Sequence, residues 1–153
     1  MTVPLSRVAR LCHLLNREEA RYFVVGATAM QLWGTTRATR DIDILIEPTI
    51  ANAERVLRAL SLRPFGVAGE IDARDLVSRG VTKIGDTPNV DVLTRAWNLT
   101  WTTAEQDFAV FEVEGIAIPT VSLANLIESK RTGRTQDKAD IEVLEALLRL
   151  RGG

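Results

Sequence analysis

Two acids inside an apolar run constrain this chain more than any other feature. Asp41-Ile42-Asp43-Ile44-Leu45-Ile46, closed by Glu47-Pro48, reads as a buried strand. Residues two apart on a strand share a face, so Asp41 and Asp43 project together while Ile42 and Ile44 point into the core. The strand rise puts their Cα atoms ~6.6 Å apart. Like charges so close in an apolar setting need compensation, and a divalent cation is the simplest source of it. Carboxylates reaching from that spacing can bracket two Mg²⁺ ions about 3.5–4 Å apart.

The residues around this strand add to the pattern. Tyr22-Phe23-Val24-Val25 is a short apolar strand stopped by Gly26, and Ala27 to Trp33 reads as a helix ended by Gly34. Strand, glycine and helix in succession turn free backbone N–H groups toward an anion, and glycine permits its close approach. An ordinary tight strand-to-helix turn has the same sequence. Neither the Walker spacing nor the dinucleotide glycine motif occurs. Asp91, in Asn89-Val90-Asp91-Val92-Leu93, supplies a third carboxylate if that strand lies beside Ile42–Ile46. Mg²⁺ prefers such hard oxygen ligands. The alternative is that these acids pair with Arg37, Arg40 or Arg95.

Elsewhere Leu5, Val8, Leu11, Leu14 and Leu15 predict an amphipathic first helix. Thr49 caps a helix with Ala53, Val56, Leu57 and Leu60 as its stripe. Val81–Ile84 and Val90–Leu93 read as strands around the turn residues 85–89. Phe108–Val113 and Ile116–Ile118 read as a hairpin about Glu114-Gly115. Ser122 opens a helix carrying Leu123, Leu126 and Ile127, Gly133 breaks it, and a last helix aligns Ile141, Leu144 and Leu148. The expected class is α/β (α+β), a mixed sheet flanked by helices, with residues 1–153 as one domain.

Charge is balanced, 19 Lys+Arg against 20 Asp+Glu, which argues against a broad nucleic-acid-binding surface. Cys12 is the lone cysteine, so no intrachain disulfide or cysteine-based zinc site can form. The sequence shows no leader-like start and no apolar run of membrane-spanning length, so a cytoplasmic location and no membrane partner are expected. His13 reads as a partly buried structural residue. Trp97 and Trp101, four apart, would share a helix face and pack on the core, or stack on a base.

Val25-Gly26-Ala27, thirteen intervening residues and Asp41-Ile42-Asp43-Ile44 resemble the nucleotidyltransferase superfamily typified by DNA polymerase β and kanamycin nucleotidyltransferase. Gly34, Arg37 and Thr39, then Leu123–Lys130, Gly133-Arg134 and Asp137–Asp140, look like its small prokaryotic branch. That branch includes the minimal nucleotidyltransferases of toxin–antitoxin systems and abortive-infection nucleotidyltransferase-like proteins. The chain departs at Ala27, where the family has Gly or Ser, which leaves phosphate contact to Thr28 or to backbone N–H groups.

The resemblance implies Mg²⁺-dependent transfer of NMP from an NTP to a hydroxyl on a protein, RNA or small molecule, with Mn²⁺ as a possible substitute metal. Asp41, Asp43 and Asp91 would be the catalytic metal ligands, with Asp91 also taking the acceptor proton. Gly26, Ala27, Thr28, Arg37, Arg40 and Lys130 would bind the nucleotide. Lys130 would otherwise belong to a solvated face with Arg131, Arg134 and Lys138. The second reading is a non-catalytic relative that binds a cognate toxin or antitoxin and keeps the acids for its fold.

Overall fold

The computed structural model of the protein describes residues 2–152. β1 (Tyr22–Val25) is buried at every residue, which suits a strand covered on both faces. It pairs antiparallel with β2 (Asp41–Ile46) and parallel with β8 (Ile116–Val121). β2 pairs parallel with β4 (Asn89–Leu93), and β3 (Val81–Ile84) lies antiparallel on the outer side of β4. β7 (Phe108–Val113) closes the opposite edge against β8. The six-stranded mixed sheet thus runs β3-β4-β2-β1-β8-β7.

A parallel pair needs a long crossover, and the one from β2 to β4 holds α3 (Ile50–Ser61), a 3-10 turn (Val67–Glu70), α4 (Ala73–Ser78) and β3. The Thr49 side chain caps α3 by accepting from Asn52 N at 3.2 Å. Buried Asn52 then staples the start of β1 to the end of β2. It accepts from Arg21 N at 2.7 Å and donates to Arg21 O at 2.9 Å and Glu47 O at 3.0 Å. α1 (Leu5–Arg17) buries Val8, Leu11, Cys12 and Leu15 and packs on β8 and α3. α2 (Gly26–Leu32) leaves β1 directly and lies on β1 and β2. α6 (Leu123–Ser129) packs against α7 (Thr135–Leu150), which contributes fully buried Leu144.

The β7–β8 turn has left-handed backbone at Glu114 (φ 53°) and Gly115 (φ 78°), as a two-residue hairpin of matching twist requires. β8 continues past Ile118 to Val121, because Thr120 pairs with Val24 and Val121 with Phe108. Between α3 and β3, the 3-10 turn and α4 are each too short to establish a periodic signal.

Two expectations are corrected. Trp97 and Trp101 do not share a helix: Trp97 and Asn98 form the turn between β5 (Arg95–Ala96) and β6 (Leu99–Thr100), with Trp97 left-handed at φ 54°. Trp101 opens α5 (Trp101–Ala104) and stacks on Phe23 at 4.8 Å, whereas Trp97 is 55% exposed. His13 is exposed on the solvent side of α1 rather than partly buried. Among the described residues, no helix is long and apolar enough to cross a membrane.

Candidate active site

The pairing of β2 with β4 decides where the acids meet. Asp43 lies level with Asp91 and Asp41 with Asn89, so the three carboxylates emerge on one face near the start of both strands. The alternate residues Ile42, Ile44, Val90 and Val92 are buried on the other face. The antiparallel β3–β4 register then sets Lys83 opposite Asp91, also on the acid face. Its Nζ is 3.0 Å from Asp41 Oδ2 and 3.0 Å from Asp91 Oδ1. The second contact is a charge contact only, for Asp91 Oδ1 is buried and accepts no hydrogen bond among the described residues.

Asp43 carries the electrostatic cost of this arrangement. Burial, then the charge and hydrogen bond of Asp91 and the charge of Asp41, push its carboxyl up to about 7, against a smaller opposing pull from Lys130. Lys83 also shifts upward, which for an amine favours the charged form: its hydrogen bond to Asp41 and its close contact with Asp91 hold its ammonium above the usual lysine range. Among the described residues, no three His, Cys, Asp or Glu side chains are already gathered tightly enough to hold one metal ion. Three mutually repelling carboxylates with an ammonium between two of them would not be.

The donor set nevertheless fits a hard divalent ion. It offers carboxylate oxygens only, leaves one of them buried without a donor, and already holds a cationic stand-in at Lys83.

Asp43 also lines a cavity of about 280 Å³ with Gly26, Arg95, Trp97, Lys130 and Arg134. Larger cavities, of about 420 and 550 Å³, lie elsewhere and contain none of the three acids. Chemistry rather than volume identifies the site. Gly26 is favoured here on two counts. Its φ is +66°, and a Cβ would stand 2.3 Å from Asp43 Oδ2.

The structure spreads the proposed nucleotide-binding residues over several positions. Gly26 and Ala27 open α2 beside Asp43, half-buried. Thr28 is buried, and its hydroxyl is turned to Asp41 O at 3.4 Å rather than toward the cavity. Arg37 turns away from the acids and pairs through Nε with Asp140 Oδ1 at 3.2 Å. Arg40 is exposed and makes no ion pair among the described residues. Lys130 is not part of a solvated face. It is buried, 2.9 Å from Asp140 Oδ2, and still borders the cavity.

Burial would push Asp140 up, but Lys130, Gln136 and Arg37 together hold it below the usual carboxylate range. Arg134, exposed on the cavity wall, is fixed by Asp137 at 2.8 Å.

Sequence reasoning missed Lys83. The signal was present in the short connection between two predicted strands, whose pairing sets residue 83 against residue 91. Trp97 stands four residues before Trp101 in the sequence, but its place on the cavity wall follows from the β5–β6 turn.

No family model matches the chain, and no curated protein matches it. Solved structures do. A protein from Thermotoga maritima named "putative nucleotidyltransferase" superposes with a TM-score of 0.58 at 18% identity, covering 99% of this chain and 96% of that one. An antigenic nucleotidyltransferase-like protein from Paracoccidioides brasiliensis superposes with a TM-score of 0.61 at 14% identity, covering 95% of this chain and 75% of that one. The six-stranded mixed sheet with its flanking helices is therefore the nucleotidyltransferase-like fold.

Proposed function

We propose that the protein is a divalent-metal-dependent nucleotidyltransferase that moves NMP from an NTP to an acceptor hydroxyl. The observation that carries this reading is the alignment of Asp41, Asp43 and Asp91 on one sheet face, with Asp43 opening into the cavity that Gly26 and Lys130 also border. Asp41, Asp43 and Asp91 would hold Mg²⁺ or Mn²⁺. When bound, the metal supplies positive charge to the triphosphate and acidifies the acceptor hydroxyl.

The chain's own residues account for the remaining work. Gly26, lacking a side chain, lets a phosphate come close to the acids. Arg134 and Arg95 give the cavity wall positive charge facing that phosphate, and Lys130 supports it from a buried position. Trp97 offers an exposed indole on which a nucleobase can stack. The acceptor oxygen forms a bond to the α-phosphorus as the bond to the leaving pyrophosphate breaks. The acceptor proton passes to the Asp91 carboxylate.

Incubating the protein with each α-labelled NTP, Mg²⁺ and cell extract tests the proposal. Label should pass to an acceptor with wild type and not with Asp43→Asn. Absence of transfer from every NTP, with Mn²⁺ as well as Mg²⁺, rejects it.

Lys83 favours a second reading. Acids neutralised by an internal lysine are also what a non-catalytic partner-binding relative would keep for its fold. In that case nucleotide and metal together leave the thermal melt unchanged.

A further inference from the structure

We infer that Lys83 is the resident counter-cation of the acidic site, and that a divalent ion must displace its ammonium to bind. The metal requirement of the protein is then set from within by β3. This rests on the reading of the three acids as a metal site, and it adds a residue that neither the acid motif nor the glycine turn contains.

Three observations carry it. The ammonium is placed by strand register rather than by chance of a long side chain: residue 83 faces residue 91 in the antiparallel pair, and Nζ reaches Asp41 and Asp91 at 3.0 Å each. A dication between those carboxylates would compete for the same oxygens and be repelled by the ammonium. The compensation is also incomplete. The Lys83 ammonium contacts two of the three acids and not Asp43, and among the described residues Asp91 Oδ1 remains without a hydrogen bond. A doubly charged ion supplies what the lysine does not.

Finally, the lysine is free to leave. β3 is the sheet edge and the Lys83 side chain is 56% exposed, so its flexible stem can move the ammonium into water without disturbing the core.

Mn²⁺ binding followed by electron paramagnetic resonance, at low ionic strength and without nucleotide, tests the inference on the full chain. Lys83→Gln should bind Mn²⁺ at least about tenfold more tightly than wild type, within what removal of a unit charge some 4 Å away is worth near a protein surface. Lys83→Arg keeps the charge and should stay within about threefold of wild type on the same argument. Without metal, Lys83→Gln should melt lower than wild type and gain more from millimolar Mg²⁺. Circular dichroism verifies that both variants fold.

Equal Mn²⁺ affinity in wild type and Lys83→Gln overturns the inference while leaving the acids as a metal site. Tighter binding by Lys83→Arg as well as Lys83→Gln also overturns it, because packing rather than charge would then be responsible. Failure of all three proteins to bind Mn²⁺ overturns it too, and combined with absent label transfer it removes the proposed function.

Discussion

Two charged clusters lie near the same cavity and are built in opposite ways. Around Asp140, on α7, the accounts of charge and hydrogen bonding close. Its oxygens accept from Lys130 at 2.9 Å, Gln136 at 2.9 Å and Arg37 at 3.2 Å, and the carboxyl is held below its usual range. Around Asp43 they stay open: the carboxyl is pushed up to about 7, and neighbouring Asp91 keeps a buried oxygen with no donor. Both clusters are ionic, the first with Lys130 and Asp140 buried, the second half-buried at its acids and exposed at Lys83. The first resembles a structural joint between α6, α7 and the Arg37 loop. The second sets like charges close together beside a cavity, an arrangement that favours a cation there.

The difference is broken most sharply at the joint. Asp140→Ala leaves Lys130 buried with Asp137, 3.8 Å away, as its remaining ion-pair partner among the described residues. Removing one partner of a buried pair costs about 3–5 kcal/mol, so the urea midpoint should fall steeply. Asp43→Asn should do the reverse. It removes a carboxyl that repels its neighbours, so metal-free stability at pH 8 should be unchanged or higher. Nucleotidyl transfer should drop by at least roughly 100-fold, since loss of even an outer partner of a metal ligand costs about 10–100-fold. A stability loss in Asp43→Asn matching that of Asp140→Ala would erase the distinction between the clusters.

Titration sharpens the contrast further. The folded protein binds the Asp43 proton more tightly than the unfolded chain, whose carboxyl has its ordinary value of 3.8. Stability from that proton is complete below 3.8 and is lost as pH rises through about 7. Metal-free protein should therefore weaken from pH 5 to pH 8, by at most about 1.4 kcal/mol per pH unit for one proton. Saturating Mg²⁺ should flatten this slope because it binds the carboxylate form, and Asp43→Asn should remove it. Asp140 acts in the opposite sense. Its carboxyl is depressed, so its contribution is present above 3.8 and is lost as pH falls through its lower folded value. Thermal melts across the pH range, with and without Mg²⁺, separate the two.

Legibility in the sequence follows the range of the interactions. β1, β2 and the β7–β8 hairpin were readable because their signals are local: apolar runs, alternation and a Glu114-Gly115 turn. The acid pair was readable for the same reason, since residues two apart must share a face. That Asp91 lies level with Asp43 depended on β4 entering the sheet parallel to β2 across more than forty residues, a pairing the sequence could only offer conditionally. Arg37 looked like a partner for the nearby acids and instead found Asp140 about a hundred positions away, because the loop before β2 folds against α7. Trp97 was misread since a spacing of four suggests a helix face, and only the short β5–β6 ribbon shows a turn there.

A modest loss of stability is expected at the glycine where β1 hands over to α2. Gly26→Ala forces a left-handed backbone on a residue with a Cβ, at roughly 1–2 kcal/mol. The atom that Cβ would meet, Asp43 Oδ2 at 2.3 Å, lies at the end of a movable side chain rather than in the backbone. The fold can therefore yield by swinging the carboxylate aside, and the midpoint should fall only modestly. The same swing moves a proposed metal ligand, so Mn²⁺ affinity should drop by more than the stability loss suggests. Asp140 and its partners lie outside this contact, and the acid end of the stability profile should be unaltered. A variant that loses stability while keeping its Mn²⁺ affinity would show that Gly26 serves the turn alone and not the open cluster beside it.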